Sequence, residues 1–233
     1  MCETCGCGNP EGPPQRKEET NPLGKDLLSR NDRIAAHTRE HIKEMGSYLV
    51  HLTSSPGSGK TTLLENTVNE LRNRISIGVI EGDVATENDA DRMRSLNIPS
   101  QAIVTDGACH LDARQVHHAL GHLAEEGEFD LLFVENVGNL VCPADFDLGE
   151  DKRVVLVSVT EGDDKPEKYP PIFRRADALV ISKIDLLPYV DFDIEKTIRH
   201  ARAIVPEIKV FQLSAKTGEG IAKWTDWLLS LVP

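Results

Sequence analysis

Apolar residues along this chain recur in two rhythms, and the change from one to the other marks where its main body begins. Leu27, Leu28, Ile34, Ala35, Ile42 and Met45 fall at near-helical spacing and predict a leading helix that Gly46 ends. Beyond Gly46 the pattern turns into short apolar runs separated by longer amphipathic stretches. Strands are predicted at Tyr48–Thr53, Ile75–Ile80, Ala102–Val104, Leu131–Val134, Val154–Val159, Leu179–Ile181 and Val210–Leu213. Helices are predicted at Thr61–Asn73, Ala113–Glu125 and Ile194–Ile204. Most of the short runs are apolar throughout rather than alternating, which suits strands buried on both faces. This alternation of strand and helix predicts an α/β fold, a doubly wound and mostly parallel sheet with helices on both sides. Such sheets bind ligands beyond the carboxyl ends of their strands.

Residues 8–24 break the rhythm. They hold four of the thirteen prolines, mixed charge and a single aliphatic residue, Leu23. A stretch that poor in apolar surface is expected to be a flexible linker. The chain is therefore divided into an N-terminal cysteine motif with its linker, residues 1–24, and one globular domain over residues 25–233.

Composition narrows the function. A 233-residue chain with 39% hydrophobic and 27% charged residues can bury one full-sized core. A formal net charge of −12 argues against nucleic acid or an anionic membrane surface as a partner. No apolar run is long enough to span a bilayer. The opening Met1-Cys2-Glu3-Thr4-Cys5 lacks the basic-then-apolar pattern of a secretory signal, so a cytoplasmic protein is expected. Five cysteines in a reducing compartment do not make a disulfide framework, and three of them crowd the first seven residues.

The chemistry sits at predicted strand ends. The first strand runs into Ser54-Ser55-Pro56-Gly57-Ser58-Gly59-Lys60-Thr61-Thr62 and then a helix, the arrangement of a phosphate-binding loop. Backbone N–H groups from Gly57 to Thr62 would wrap the phosphates, Lys60 would reach the β/γ-phosphates, and the Thr61 hydroxyl would meet Mg2+. Ser54 stands where the pattern usually has its first glycine. Ser182-Lys183-Ile184-Asp185 resembles the guanine-reading motif of GTPases, with Asp185 accepting from the guanine edge and the Lys183 stem covering the ring. Ser214-Ala215-Lys216 matches the companion loop, in which the Ala215 N–H meets the guanine oxygen. Glu135-Asn136-Val137-Gly138 occupies the place of the switch that senses the γ-phosphate through its glycine. Glu135 is expected to hold magnesium through water, and Asp83 is a candidate second carboxylate that equally suits a turn or helix cap. With no arginine finger or catalytic glutamine in view, hydrolysis of GTP to GDP is expected to be slow.

Two groups of soft ligands remain. Cys2, Cys5 and Cys7 place three thiols within six residues, a donor set suited to Ni2+ or Zn2+. Cys109-His110 and Cys142, which lies four residues past Gly138, offer sulfur, imidazole and sulfur with a position open for exchange. His118 and His122 share a helix face but read as surface histidines.

Taken together the chain resembles the HypB family, the nickel-insertion GTPases of NiFe-hydrogenase maturation. The resemblance covers nearly the whole length. It rests on Met1 to Cys7, Ser54 to Thr62, Gly107-Ala108-Cys109-His110-Leu111-Asp112, Glu135 to Cys142, Glu161-Gly162-Asp163-Asp164-Lys165-Pro166 and Ser182 to Pro188. It implies a tight nickel site at Cys2, Cys5 and Cys7, and a second nickel or zinc site at Cys109, His110 and Cys142. It further implies GTP-dependent homodimerisation, an accessory nickel chaperone as partner, and the hydrogenase large-subunit precursor as recipient. No histidine precedes His37, which argues against bulk nickel storage. Among the rivals, urease-accessory GTPases build their metal motif on Cys-Pro-His, absent here. Cobalamin-enzyme chaperones leave both cysteine groups unexplained, and a passive nickel-binding protein leaves Lys60, Thr61 and Asp185 unexplained.

Overall fold

The computed structural model describes residues 22–85 and 88–232. Cys2, Cys5 and Cys7 lie outside the described residues. In chain order the elements are α1 (Pro22–Glu44), β1 (Tyr48–Ser54), α2 (Lys60–Leu71), β2 (Ile77–Asp83), α3 (Asn88–Ser95), β3 (Ser100–Val104), α4 (Ala113–Ala124), β4 (Leu131–Glu135) and β5 (Lys152–Ser158). Two short helices follow, α5 (Lys165–Lys168) and α6 (Pro170–Arg174), then β6 (Ala178–Ser182), α7 (Ile194–Ile204), β7 (Lys209–Gln212) and α8 (Ile221–Leu229). Helix α1 begins at Pro22, three residues before the expected start of the globular domain.

All strand pairs are parallel, in the order β3-β2-β4-β1-β5-β6-β7, so the sheet is parallel throughout where the sequence predicts a mostly parallel one. The chain winds out from β1 in both directions, which puts helices on both faces. Alternation along β1 shows how the faces are divided. Val50 and Leu52 pack with Leu64, Phe133, Leu156 and Trp224 on the side of α2 and α8. Leu49 points the other way, to Ile42, Val116 and Leu120 under α1 and α4. The next residue on that second face is His51, fully buried where the pattern calls for another aliphatic side chain.

Local chemistry fixes the helix that follows the third strand. The Asp112 side chain accepts from the Gln115 N–H at 2.8 Å while the Gln115 amide oxygen accepts from the Asp112 N–H at 2.9 Å. This reciprocal capping box starts α4 immediately after Cys109-His110-Leu111. Leu111 is fully buried and lies against Gly82, where any Cβ would meet its methyl group at 2.7 Å. A side chain at 82 would force the Leu111 side chain, and with it the packing of the Cys109-His110 loop on the end of β2, to shift. Among the described residues no helix is long and apolar enough to cross a membrane.

Candidate functional site

The loop between β1 and α2 is shaped by two glycines in left-handed backbone, Gly57 at φ 72° and Gly59 at φ 95°. It encloses one end of a cleft of about 510 Å³ that Lys60, Thr61, Thr62, Asp83, Glu135 and Gly138 also line. Lys60 is buried, and its Nζ donates to Ser54 Oγ at 3.0 Å while standing 3.8 Å from Glu135 Oε1. Ser58 Oγ also donates to Ser54 Oγ. Ser54, in place of the customary glycine, therefore anchors the loop lysine. Thr61 Oγ1 donates to Glu135 Oε1 at 2.9 Å. Asp83 Oδ1 accepts from the Ala85 N–H at 2.9 Å, a turn contact made within the same cleft.

Glu81 is a functional candidate that pattern reading did not pick out. Parallel pairing sets Glu81 beside Glu135, and both are almost fully buried. Burial pushes the Glu81 carboxyl well above the usual range, and the nearby Glu135 charge adds to it. Burial raises Glu135 as well, against the pull of Lys60 and the Thr61 hydroxyl. The Glu81 and Glu135 carboxyls hydrogen-bond to one another, with the shared proton kept on Glu81, whose affinity for it is raised the more. A hard divalent cation such as Mg2+ bound beside the phosphate loop would favour release of that proton and take its place between the acidic groups.

A second hollow, about 240 Å³, opens behind Gly59 and is lined by Lys183, Asp185, Leu186, Ser214, Ala215 and Lys216. The structure thus brings together, from the ends of β6 and β7, the two segments expected from the sequence to read the base. Ser214 Oγ donates to Asp185 Oδ1 at 2.6 Å and orients that carboxylate. Lys183, in left-handed backbone at φ 60°, sends its Nζ to the Gly57 carbonyl at 2.6 Å. Ser182 Oγ donates to the Ser58 carbonyl at 2.7 Å, so this serine ties the base segment to the phosphate loop. The Glu161 to Pro166 segment also reaches the loop, because Lys165 Nζ donates to Ser55 Oγ at 3.1 Å and pairs with Glu161 at 2.9 Å.

Cys109, His110 and Cys142 bring three donor atoms within 4.8 Å of one another, each residue half-buried. Cys109 Sγ and Cys142 Sγ stand 2.7 Å apart, closer than a hydrogen bond between two thiols allows. An ion with metal–sulfur bonds of about 2.3 Å would part the sulfurs by up to about an ångström. The His110 ring packs on Phe146 with centroids 4.0 Å apart, and burial lowers its pKa, which favours the neutral, ligating imidazole. Asn136 and Asn139 tie this cluster to the segment after β4. Asn136 Oδ1 accepts from the Leu111 N–H at 3.1 Å, and Asn139 Nδ2 donates to the Cys109 carbonyl at 3.3 Å. His118 and His122 are exposed on α4, with ring centroids 4.6 Å apart.

A parallel sheet carrying a phosphate loop at its central strand, with a base hollow two strands away, defines a P-loop nucleotide-binding protein of GTPase-like fold. Comparison with known proteins refines that class. Residues 48–212 match the family described as CobW/HypB/UreG, nucleotide-binding domain. The hydrogenase maturation factor HypB of Azotobacter vinelandii is 50% identical over 206 residues, which is 88% of this chain and 68% of that protein. The crystal structure of HypB from Archaeoglobus fulgidus, 44% identical, superposes with a TM-score of 0.82 over 88% of this chain and all of that one. HypB from Helicobacter pylori, solved in complex with nickel, is 40% identical with a TM-score of 0.83, covering 86% of this chain and 94% of that one. The chain belongs to the HypB family.

Proposed function

We propose that this protein is a GTP-hydrolysing nickel metallochaperone that delivers nickel to the large-subunit precursor of a NiFe-hydrogenase. One observation carries the reading. The segment that begins at Glu135 beside the phosphate loop ends at Cys142, and Asn136 and Asn139 fasten it to the Cys109-His110 loop on the way. Nucleotide chemistry and soft-metal ligation share one short stretch of chain. The nickel-bound relative supports nickel as the cargo.

Gly57 to Thr62 would cradle the phosphates and Lys60 would leave Ser54 for the β/γ-phosphates. Asp185 would select guanine, with Lys183 and the Ala215 N–H completing the base contacts. Thr61, Glu135 and Asp83 would hold Mg2+, which spreads the negative charge that builds on the phosphates. Gly138 would donate its N–H to the γ-phosphate. Its shift on hydrolysis moves Cys142 relative to Cys109 and His110, so nucleotide state and metal affinity bias one another by the same factor. The Cys109, His110 and Cys142 set takes nickel or zinc and leaves a position open for transfer, whereas Cys2, Cys5 and Cys7 hold nickel tightly.

In this reading the working form is a GTP-dependent homodimer in the cytoplasm. It is loaded with the help of an accessory nickel chaperone and has no nucleic-acid or membrane partner.

The test is nickel titration of the purified full chain, followed by thiolate charge-transfer absorption with GDP and with a GTP analogue, alongside GTP turnover. Tight binding lost on replacing Cys2, Cys5 and Cys7, a weaker nucleotide-sensitive site lost on Cys109→Ser, and measurable hydrolysis are expected. Equal nickel affinity of the weaker site in both nucleotide states would remove the coupling. No nickel binding under reducing conditions would remove the cargo.

A further inference from the structure

The two halves of the cysteine–histidine cluster come from different loops, and both loops lead back to one buried side chain. His51 sits on β1 with its ring fully enclosed, three residues before the phosphate loop leaves the strand. Nε2 of its ring is 2.8 Å from Asn136 Nδ2, and its Nδ1 is 3.2 Å from Glu150 Oε1.

The proton positions follow from elimination. The Leu111 backbone N–H can only donate, so the Asn136 oxygen faces it and the Asn136 Nδ2 faces His51. His51 Nε2 therefore accepts, and the single ring proton sits on Nδ1, donated to the Glu150 carboxylate. A doubly protonated ring would set N–H against N–H at Asn136. Burial, which lowers the His51 pKa, agrees with this neutral tautomer.

From His51 one arm runs through Asn136 to the Leu111 N–H, next to His110 and two residues from Cys109. The other arm runs through Glu150 to Arg153, whose Nε donates to Glu150 Oε1 at 2.8 Å. The Arg153 guanidinium donates on to the Pro143 carbonyl at 3.3 Å and the Phe146 carbonyl at 2.6 Å, in the turn that carries Cys142. Glu150 Oε2 also receives the Leu148 N–H at 2.8 Å. Every member is buried or nearly so, where a broken bond is costly and a satisfied network fixes one arrangement.

We infer that His51 is a positioning residue for the cluster, holding the Cys109-His110 loop and the Cys142 turn in register with each other and with the segment after Glu135. The metal-related part of this inference rests on the reading of that cluster as a nickel site; the positioning itself does not.

The experiment uses the full chain and three variants. His51→Gln keeps one donor and one acceptor, as the neutral imidazole does. His51→Leu keeps bulk and removes both. Asn136→Ala cuts only the arm to Leu111 and keeps the test open should His51→Leu not fold. The first readout, on metal-free protein, is the alkylation rate of each thiol by iodoacetamide, resolved by mass spectrometry. His51→Leu should speed reaction at both Cys109 and Cys142 by about tenfold or more. Asn136→Ala should do so at Cys109 alone, and His51→Gln should stay near the parent. The second readout is nickel affinity in the GDP and GTP-analogue states, in a background lacking Cys2, Cys5 and Cys7. The ratio between states should collapse in His51→Leu and return in His51→Gln. Parent-like thiol rates in His51→Leu, equal effects at both cysteines in Asn136→Ala, or failure of His51→Gln to restore either readout would overturn the inference. Absence of nickel binding in the parent background would instead sink the metal reading, and the thiol rates would still decide the role of His51.

Discussion

Gly138 lies against Pro56 so closely that a Cβ built on it would stand 2.8 Å from the Pro56 Cα and 2.9 Å from the Pro56 nitrogen. Both are backbone atoms, so the clash cannot be relieved by turning a side chain. The residue proposed to sense the γ-phosphate is thereby packed on the phosphate loop itself. Gly138→Ala should displace one segment from the other and lower GTP turnover by roughly a hundredfold, the scale of an ångström-sized misplacement. Gly121→Ala is the matched control, because Gly121 is exposed within α4 with nothing within 4 Å of a new Cβ. It should raise stability by about 0.5–1 kcal/mol and leave turnover alone. Equal turnover in both variants would show that Gly138 is not part of the switch.

The Lys60 ammonium is held between Ser54 Oγ and the Glu135 carboxylate, buried and waiting on the floor of the cleft. Lys60→Ala should cut hydrolysis by at least about a hundredfold, through loss of charge at the transferring phosphate. Nickel bound at Cys2, Cys5 and Cys7 should be unaffected, since that motif lies in a separate stretch of chain far ahead of Lys60 in the sequence. Loss of both activities together would mean that the N-terminal motif depends on the nucleotide site.

Ser214 Oγ fixes Asp185 with one oxygen, leaving the carboxylate to accept from a base. Asp185→Asn replaces an acceptor with an amide that sets N–H groups against those of guanine. Affinity for guanosine nucleotides should fall by about a hundredfold or more, with preference moving to xanthosine nucleotides. Competition binding with GDP and XDP reads this directly; an unchanged order would place the base elsewhere.

The sheet was legible because most of its strands are short, largely apolar runs. The convergence of the motif segments was legible because each lies beside a predicted strand end, and parallel strands put those ends on one side of the sheet. Glu81 was not, since the predicted strand stops at Ile80 and only the pairing of β2 with β4 sets Glu81 beside Glu135. Helix α3 escaped notice because Ala90 and Met93 are its only buried residues. Helix α8 did carry a signal, with Ile221, Trp224, Thr225 and Leu228 buried at helical spacing. His51 was hidden within an apolar strand, where one polar residue means nothing until Asn136 and Glu150 are found on either side of it. Sequence spacing likewise gives no hint that Arg153 reaches the Cys142 turn.

The same buried histidine gives the protein a defined acid response. His51 is held below its ordinary value of 6.5, chiefly by burial, against the opposing pull of Glu150 and of the more distant Asp147, with Arg153 adding to the depression. Above pH 6.5 it is neutral whether folded or unfolded and contributes no pH dependence. As pH falls below 6.5 the unfolded chain takes up a proton that the folded one refuses, so stability drops by at most about 1.4 kcal/mol per pH unit. The drop ends at the folded pKa of His51. Glu150 acts later and in the same direction. Burial alone would raise it, but the hydrogen bond from His51 and the Arg153 charge outweigh burial and hold it well below 4.5. Its stabilisation is present above pH 4.5 and is lost as pH falls toward that depressed value. Glu81 and Glu135, raised by burial, act in the opposite sense, so the response of His51 is read as a difference: in urea denaturation from pH 8 to pH 4 the parent should lose stability relative to His51→Gln as pH falls below 6.5 and hold level with respect to it well above that. A decline of unchanged slope between pH 6.5 and 5 in His51→Gln would assign the acid sensitivity to other groups.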